Sequence, residues 1–183
     1  ILYWCLHGCD LLDHTPADSI CQGIVETLES CWTPATVRLP RKLLAQDPIL
    51  SMAINDTNEN ETVELEGGGF GGGPGQMPHA ATNYAAVLAL CILAGSGDCP
   101  AAYTLLEQKR QSLYTWLLSL KQTDTGSFRM QHDGEIDVRA TYCVMAVAKL
   151  LHICTDTLTT GAMNYVSACQ TYEGGFGGEP FTE

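Results

Sequence analysis

Arg139 is the residue whose setting demands most of the chain around it. It opens Ala140-Thr-Tyr-Cys-Val-Met-Ala-Val-Ala148, a stretch that is apolar almost throughout. A guanidinium there cannot be buried without partners, because the cost of desolvating it exceeds what an unpaired contact returns. Arg139 is therefore expected to face a polar or substrate-filled cavity, with Asp137, Glu135 or a substrate as partner; a purely structural ion pair with either carboxylate is the alternative. Two tyrosines stand in comparable settings. Tyr84 and Tyr142 each follow a loop phenylalanine, Phe70 and Phe128, by fourteen residues, and each leads an apolar run. Other reactive residue types carry less. Of nine cysteines, Cys5, Cys21, Cys91, Cys143, Cys154 and Cys169 fall in mostly apolar helical stretches, where a free thiol acts as a small hydrophobe. There is no CxxC pair, and Cys5-x3-Cys9 lacks a matching Cys or His pair at zinc-finger spacing. His7, His79, His132 and His152 are isolated, so no residue is assigned to a metal and none to a catalytic step.

Three Gly-rich segments organise the elements that position these residues: Glu66-Gly-Gly-Gly-Phe-Gly-Gly-Gly73, Thr125-Gly-Ser-Phe128 and Glu173-Gly-Gly-Phe-Gly-Gly178. A segment with helical period leads toward each. Ile20, Ile24, Leu28 and Cys31 share one face, with Thr15-Pro16 as N-cap and first helical residue; Leu106, Leu113, Trp116, Leu117 and Leu120 share a second; Leu158, Ala162, Tyr165, Val166 and Cys169 a third. After the first two loops come helices of another kind, apolar nearly all round, which must be covered on both sides. Alternation of the two kinds predicts helical hairpins, one layer inside and one outside, repeating every 50 to 58 residues or about that. No stretch alternates strictly enough to predict a sheet, so the fold class is all-α. The glycines are expected to supply positive φ or close approach to a neighbouring helix. A phosphate loop is disfavoured, since no GxxxxGK[ST] follows and no strand precedes.

Bulk properties set the frame. At 183 residues and 45% hydrophobic, the chain reads as one domain. A formal charge of −12 argues against nucleic acid and suits basic peptide partners. The longest apolar stretch, Ala80–Ala94, is interrupted by Thr82 and Asn83 and is shorter than the roughly 20 residues a membrane span requires. Both ends read as cut, which points to an internal piece of a longer protein.

The motifs in order resemble the β subunits of protein farnesyltransferases. The resemblance rests on Gly71-Gly-Gly-Pro-Gly-Gln76-Met-Pro-His79-Ala80 with Tyr84-Ala-Ala-Val87, on Gly134-Glu-Ile-Asp-Val-Arg139-Ala-Thr-Tyr142-Cys143, and on Cys169-Gln170 with Glu173-Gly-Gly-Phe-Gly-Gly-Glu-Pro180. Tyr3-Trp4-x-Leu6-His7 is similar to that family's peptide-facing helix. The resemblance implies an α/α toroid domain, of which residues 1–183 form part, paired with a farnesyltransferase α subunit in the cytoplasm. It implies transfer of farnesyl from farnesyl diphosphate to the Cys of CaaX-terminated proteins, with a zinc ion activating that thiol. The family's zinc ligands follow its third Gly loop and would lie beyond Glu183, as would its diphosphate clamp.

On this resemblance the substrate-binding residues are Trp4, Tyr84, Arg139 and Tyr142. Tyr84 and Tyr142 would line the farnesyl pocket, and Trp4 would pack against apolar residues of the peptide. A geranylgeranyltransferase β subunit is the nearest alternative, and a binding piece without catalysis is the alternative of another class. The piece alone is expected to be inactive and poorly soluble, since a ring that lacks members exposes its inner helices. The departure from the family is the stretch from about residue 35 to residue 65, which reads as a surface insertion or as translated intron sequence. Its run Asn55-Asp-Thr-Asn-Glu-Asn-Glu61 has the composition of a disordered segment.

Overall fold

The structure, a computed structural model, describes residues 1–53, 62–95 and 98–182. Three helices form an inner layer: α1 (Leu2–Leu11), α4 (Ala80–Gly95) and α6 (Val138–Leu150). Helix α4 lies between the other two. Its buried positions include Ala80, Ala86 and Ala89, small residues that let neighbouring backbones approach from several sides. The outer layer comprises α2 (Asp18–Ser30), α5 (Pro100–Ser119), the short α7 (Asp156–Thr159) and α8 (Ala162–Ala168). Helix α5 packs on α4 and α2, and α8 packs on α6. The fold is the all-α hairpin arrangement, with one exception.

That exception is a ribbon in the stretch expected to be a surface insertion. Strands β1 (Trp32–Pro40) and β2 (Thr62–Phe70) pair antiparallel from Trp32↔Phe70 to Pro40↔Thr62. A five-residue helix, α3 (Arg41–Ala45), follows β1. The expectation that no strand would form is therefore corrected. The ribbon folds because it has a surface to cover: both strands lie on α5, and Val37 and Leu39 are buried there. The run Asn55–Glu61, expected to be disordered, lies outside the described residues.

This cover explains a second difference. Helix α5 reads as amphipathic, yet Tyr114, Thr115 and Leu118 are buried as fully as Leu113, Trp116 and Leu117. The ribbon lies on this helix at Ser112 and Trp116, and Asp47 and Thr155 close over Tyr114. Gly67 is where the strand meets the helix: a Cβ there would stand 2.7 Å from Val37 Cγ2 and 3.4 Å from the Trp116 amide nitrogen. Helix α2 differs too. Its first residue is Asp18, with extended Ala17 as N-cap instead of Thr15, and its buried face is Cys21, Val25 and Leu28, leaving Ile20 exposed. The third outer segment is broken into α7 and α8 at Gly161, whose φ is +81°. Gly126, at φ +77°, passes so close that a Cβ on it would lie 2.6 Å from Gly161 Cα.

Helices α2, α5 and α8 end in the same way. The residue after the loop aromatic donates its backbone N–H to the C-cap carbonyl of the preceding outer helix: Gly71 to Cys31 at 2.9 Å, Arg129 to Leu120 at 3.0 Å, Gly177 to Cys169 at 2.8 Å. The pairs Trp32↔Phe70, Lys121↔Phe128 and Gln170↔Phe176 repeat alongside. The extra stretch thus lies inside the first of three equivalent hairpin loops. It is anchored by Asp47, a fully buried carboxylate. Asp47 accepts the amides of Ile49 and Leu50, each at 2.9 Å, and the hydroxyls of Tyr114 on α5 and Thr155 at the cap of α7.

Two outcomes follow for stability. Asp47→Ala strands these donors and is expected to cost roughly 2–3 kcal/mol in urea unfolding. Combined with Tyr114→Phe the losses should fall short of additive, and strict additivity would show that the two groups do not interact. Gly126→Ala should cost about 2 kcal/mol or more, because positive φ and backbone overlap act together. Gly23→Ala, in an open helical position, should instead stabilise by about 0.5–1 kcal/mol.

Candidate functional site

The start of α4 is fixed before any ligand is considered. Asn83, fully buried, accepts the Phe70 amide at 2.8 Å through Oδ1 and donates to the His79 carbonyl at 2.9 Å through Nδ2. Thr82 donates its hydroxyl to the Phe70 carbonyl at 2.6 Å, and the Ala80 amide reaches the Met130 carbonyl at 2.7 Å. Strand β2, loop and helix are thereby stitched together one residue before Tyr84. Helix α6 is begun by Asp137, whose Oδ1 accepts the Arg139 amide at 2.7 Å. The Val138 amide reaches back to the Gly178 carbonyl at 2.8 Å, tying the third loop to the same helix start.

These two fixed starts bring Tyr84 and Tyr142 together. Their hydroxyls are 3.3 Å apart and their ring centroids 5.4 Å, at an interplanar angle of 48°. The Tyr142 hydroxyl, burial and the Tyr3 hydroxyl together push the Tyr84 phenol far above its ordinary range, so it stays protonated at any physiological pH. Tyr84 is half-buried and Tyr142 is 63% exposed. Trp4 is 67% exposed and joins the two tyrosines only through Tyr3, whose ring lies 4.8 Å from Trp4 and 5.8 Å from Tyr84. The structure thus gathers three of the four expected residues along one aromatic row that crosses α1, α4 and α6.

Arg139 stands three residues before Tyr142, one turn earlier on the same side of α6. Its partner is Asp137: Nε donates to Oδ1 at 2.8 Å and a terminal nitrogen to Oδ2 at 2.7 Å. The guanidinium holds the Asp137 carboxyl below the usual carboxylate range. The Arg139 side chain is 71% exposed while that of Asp137 is 12% exposed, so the guanidinium reaches into solvent at the edge of the row from a buried carboxylate. Sequence reasoning named Arg139 and its partner set but missed Tyr3 and Asn83. Tyr3 was visible as one of two adjacent aromatics; nothing in the spacing says which of them turns inward.

Chemically the row is a wall of aromatic faces with one guanidinium at its rim. Such a surface can in principle lie against a long apolar ligand with an anionic end. Among the described residues, no three His, Cys, Asp or Glu side chains are grouped to hold a metal ion. The described residues therefore do not fit a zinc site. Among the described residues, no helix is long and apolar enough to cross a membrane.

Comparison with known proteins agrees with the fold. The prenyltransferase alpha-alpha toroid domain matches residues 1–183. The chain is 43% identical over 141 residues to the protein farnesyltransferase subunit beta of Arabidopsis thaliana, covering 74% of this chain and 28% of that protein. It is 44% identical over 117 residues to the protein farnesyltransferase subunit beta of Schizosaccharomyces pombe, covering 63% and 29%. The geranylgeranyl transferase type-1 subunit beta of Arabidopsis thaliana is more distant, at 33% over 106 residues, covering 57% and 26%. The chain spans less than a third of the length of each of these relatives. The layered hairpins, the three returning Gly loops and these matches lead to one assignment: the chain belongs to the prenyltransferase alpha-alpha toroid family.

Proposed function

We propose that the whole protein is the β subunit of a protein farnesyltransferase, moving farnesyl from farnesyl diphosphate to the Cys of CaaX-terminated proteins in the cytoplasm. The observation that carries the reading is the aromatic row of Tyr84 and Tyr142 with Arg139 at its rim, in a chain more similar to farnesyltransferase than to geranylgeranyltransferase β subunits. An isoprenoid tail lies along phenol faces and buries apolar area; its diphosphate seeks a guanidinium. Trp4 lies beside the same row and supplies a surface for the apolar residues of a peptide. A zinc ion, expected on residues of the whole protein after Glu183, would activate the acceptor thiol, and an α subunit would complete the enzyme. Residues 1–183 are read as one part of a single toroid domain, grown by the stretch of about 35–65.

The test uses the full-length β subunit assembled with its α subunit. Tyr84→Thr shortens the row's central side chain and is expected to raise the use of geranylgeranyl relative to farnesyl diphosphate by about tenfold in kcat/KM. No change in that ratio would remove Tyr84 from the prenyl site. Arg139→Gln is expected to raise KM for farnesyl diphosphate by about tenfold with a smaller effect on kcat. If KM holds and only the melting temperature falls, Arg139 serves the ion pair with Asp137 alone.

A further inference from the structure

We propose that Tyr3 is a positioning residue: from α1 it fixes the ring of Tyr84, and through that ring it sets the depth available to a prenyl chain. The inference rests on the proposed function above and adds a residue that this function does not require.

The geometry singles out Tyr3 because Tyr84 has a ring on each side. On one side is Tyr142, with centroids 5.4 Å apart; on the other is Tyr3, 5.8 Å away and edge-on at 76°. The two neighbours are not equivalent. Tyr142 is 63% exposed, so it is free to adjust when a ligand arrives, whereas Tyr3 is 8% exposed. Tyr3 is held in turn by His7 one helical turn later, stacked at 5.7 Å and 13°, and by Trp4 at 4.8 Å. Edge-to-face contact is directional and favours one orientation of the partner ring. Tyr3 is thus the immobile side of the clamp, and the Tyr84 ring takes its orientation from α1. Its hydroxyl also contributes to keeping the Tyr84 phenol protonated. Removing the ring opens space behind Tyr84, into which Tyr84 turns, lengthening the site without touching any residue that faces the ligand.

The experiment uses the full-length heterodimer with Tyr3→Leu, which removes the edge contact, and Tyr3→Phe, which keeps the ring and removes the hydroxyl. Tyr3→Leu is expected to shift the kcat/KM ratio toward geranylgeranyl diphosphate by about tenfold, and Tyr3→Phe by about twofold. In a Tyr84→Thr background Tyr3→Leu should leave the ratio where Tyr84→Thr alone puts it, because Tyr3 acts through Tyr84. An unchanged ratio in Tyr3→Leu, with Tyr84→Thr still effective, overturns the inference and leaves the proposed function standing. An equal further shift in the Tyr84→Thr background also overturns it. Should the wild type transfer neither prenyl group, the proposed function fails, and fluorine NMR of fluorotyrosine-labelled protein decides on Tyr3 separately. The Tyr84 resonance, identified by its loss in Tyr84→Phe, is expected to move and broaden in Tyr3→Leu; an unmoved resonance overturns the inference. Should Tyr3→Leu fail to fold, the same ratio and resonance are read in Tyr3→Phe, where no change in either counts against it.

Discussion

The structure depends on one short hydrogen bond made three times. At the ends of α2, α5 and α8 the C-cap carbonyl would be an orphan acceptor, and the backbone amide after the loop aromatic satisfies it, at Cys31, Leu120 and Cys169. That bond decides where each Gly-rich loop turns back, and hence where the following inner helix begins. Phe70 and Phe128 sit beside the bonds as buried plugs, so the loops are pinned by packing as well as by the backbone. With both inner helices counted from the same fixed point, a residue at equal offset lands at equal height. This is how Tyr84 and Tyr142, far apart in sequence, come to share a hydroxyl contact.

The same constraint explains how a long extra stretch is tolerated. It enters between residues that the hairpin already holds together, so the bond from Gly71 to Cys31 survives it and the cost of closing the longer loop rises only slowly with length. The added chain then finds a use for itself. It pairs into a ribbon, covers α5, and fastens its far end with the buried Asp47 carboxylate against Tyr114 and Thr155. A carboxylate with four donors around it is tolerable in a core; with fewer it would not be. The stretch is thus packed into the outer layer, and Asn83 ties Phe70, the last residue of β2, to the start of α4.

Much of this was legible in the sequence, and the failures have identifiable physical causes. The period of the helices and the shared offset of the tyrosines were local and repeated, so they could be read. Strands β1 and β2 could not: each alternates over only a few residues, and Pro34, Pro40 and the triple glycine count against strand formation. Their stabilisation comes from α5, which is remote in sequence. The first turn of α2 was misread by one position, Ile20 for Cys21, because both are apolar and only the neighbouring helices choose between them; Leu28 and Cys31 are buried as expected. Trp4 was named on the family resemblance; that the adjacent Tyr3 is the ring turned toward Tyr84 depends on the contact with α4, which the sequence of α1 does not carry.

Arg139 shows how much a partner leaves undone. Its ion pair with Asp137 looks at first like neutralisation, which would leave the aromatic row without a usable cation. The geometry argues otherwise. Asp137 engages Nε and one terminal nitrogen, while a guanidinium has five N–H donors or about that in a rigid fork. The remaining donors point away from the carboxylate, and the exposed setting leaves them in water. Because Asp137 also caps α6 through the Arg139 amide, the carboxylate is bound to the helix and holds the fork in one plane. A single carboxylate therefore orients the cation without consuming it. The cation is held at a fixed height on the same side of α6 as Tyr142, which is where the proposed site would need it for an anionic head.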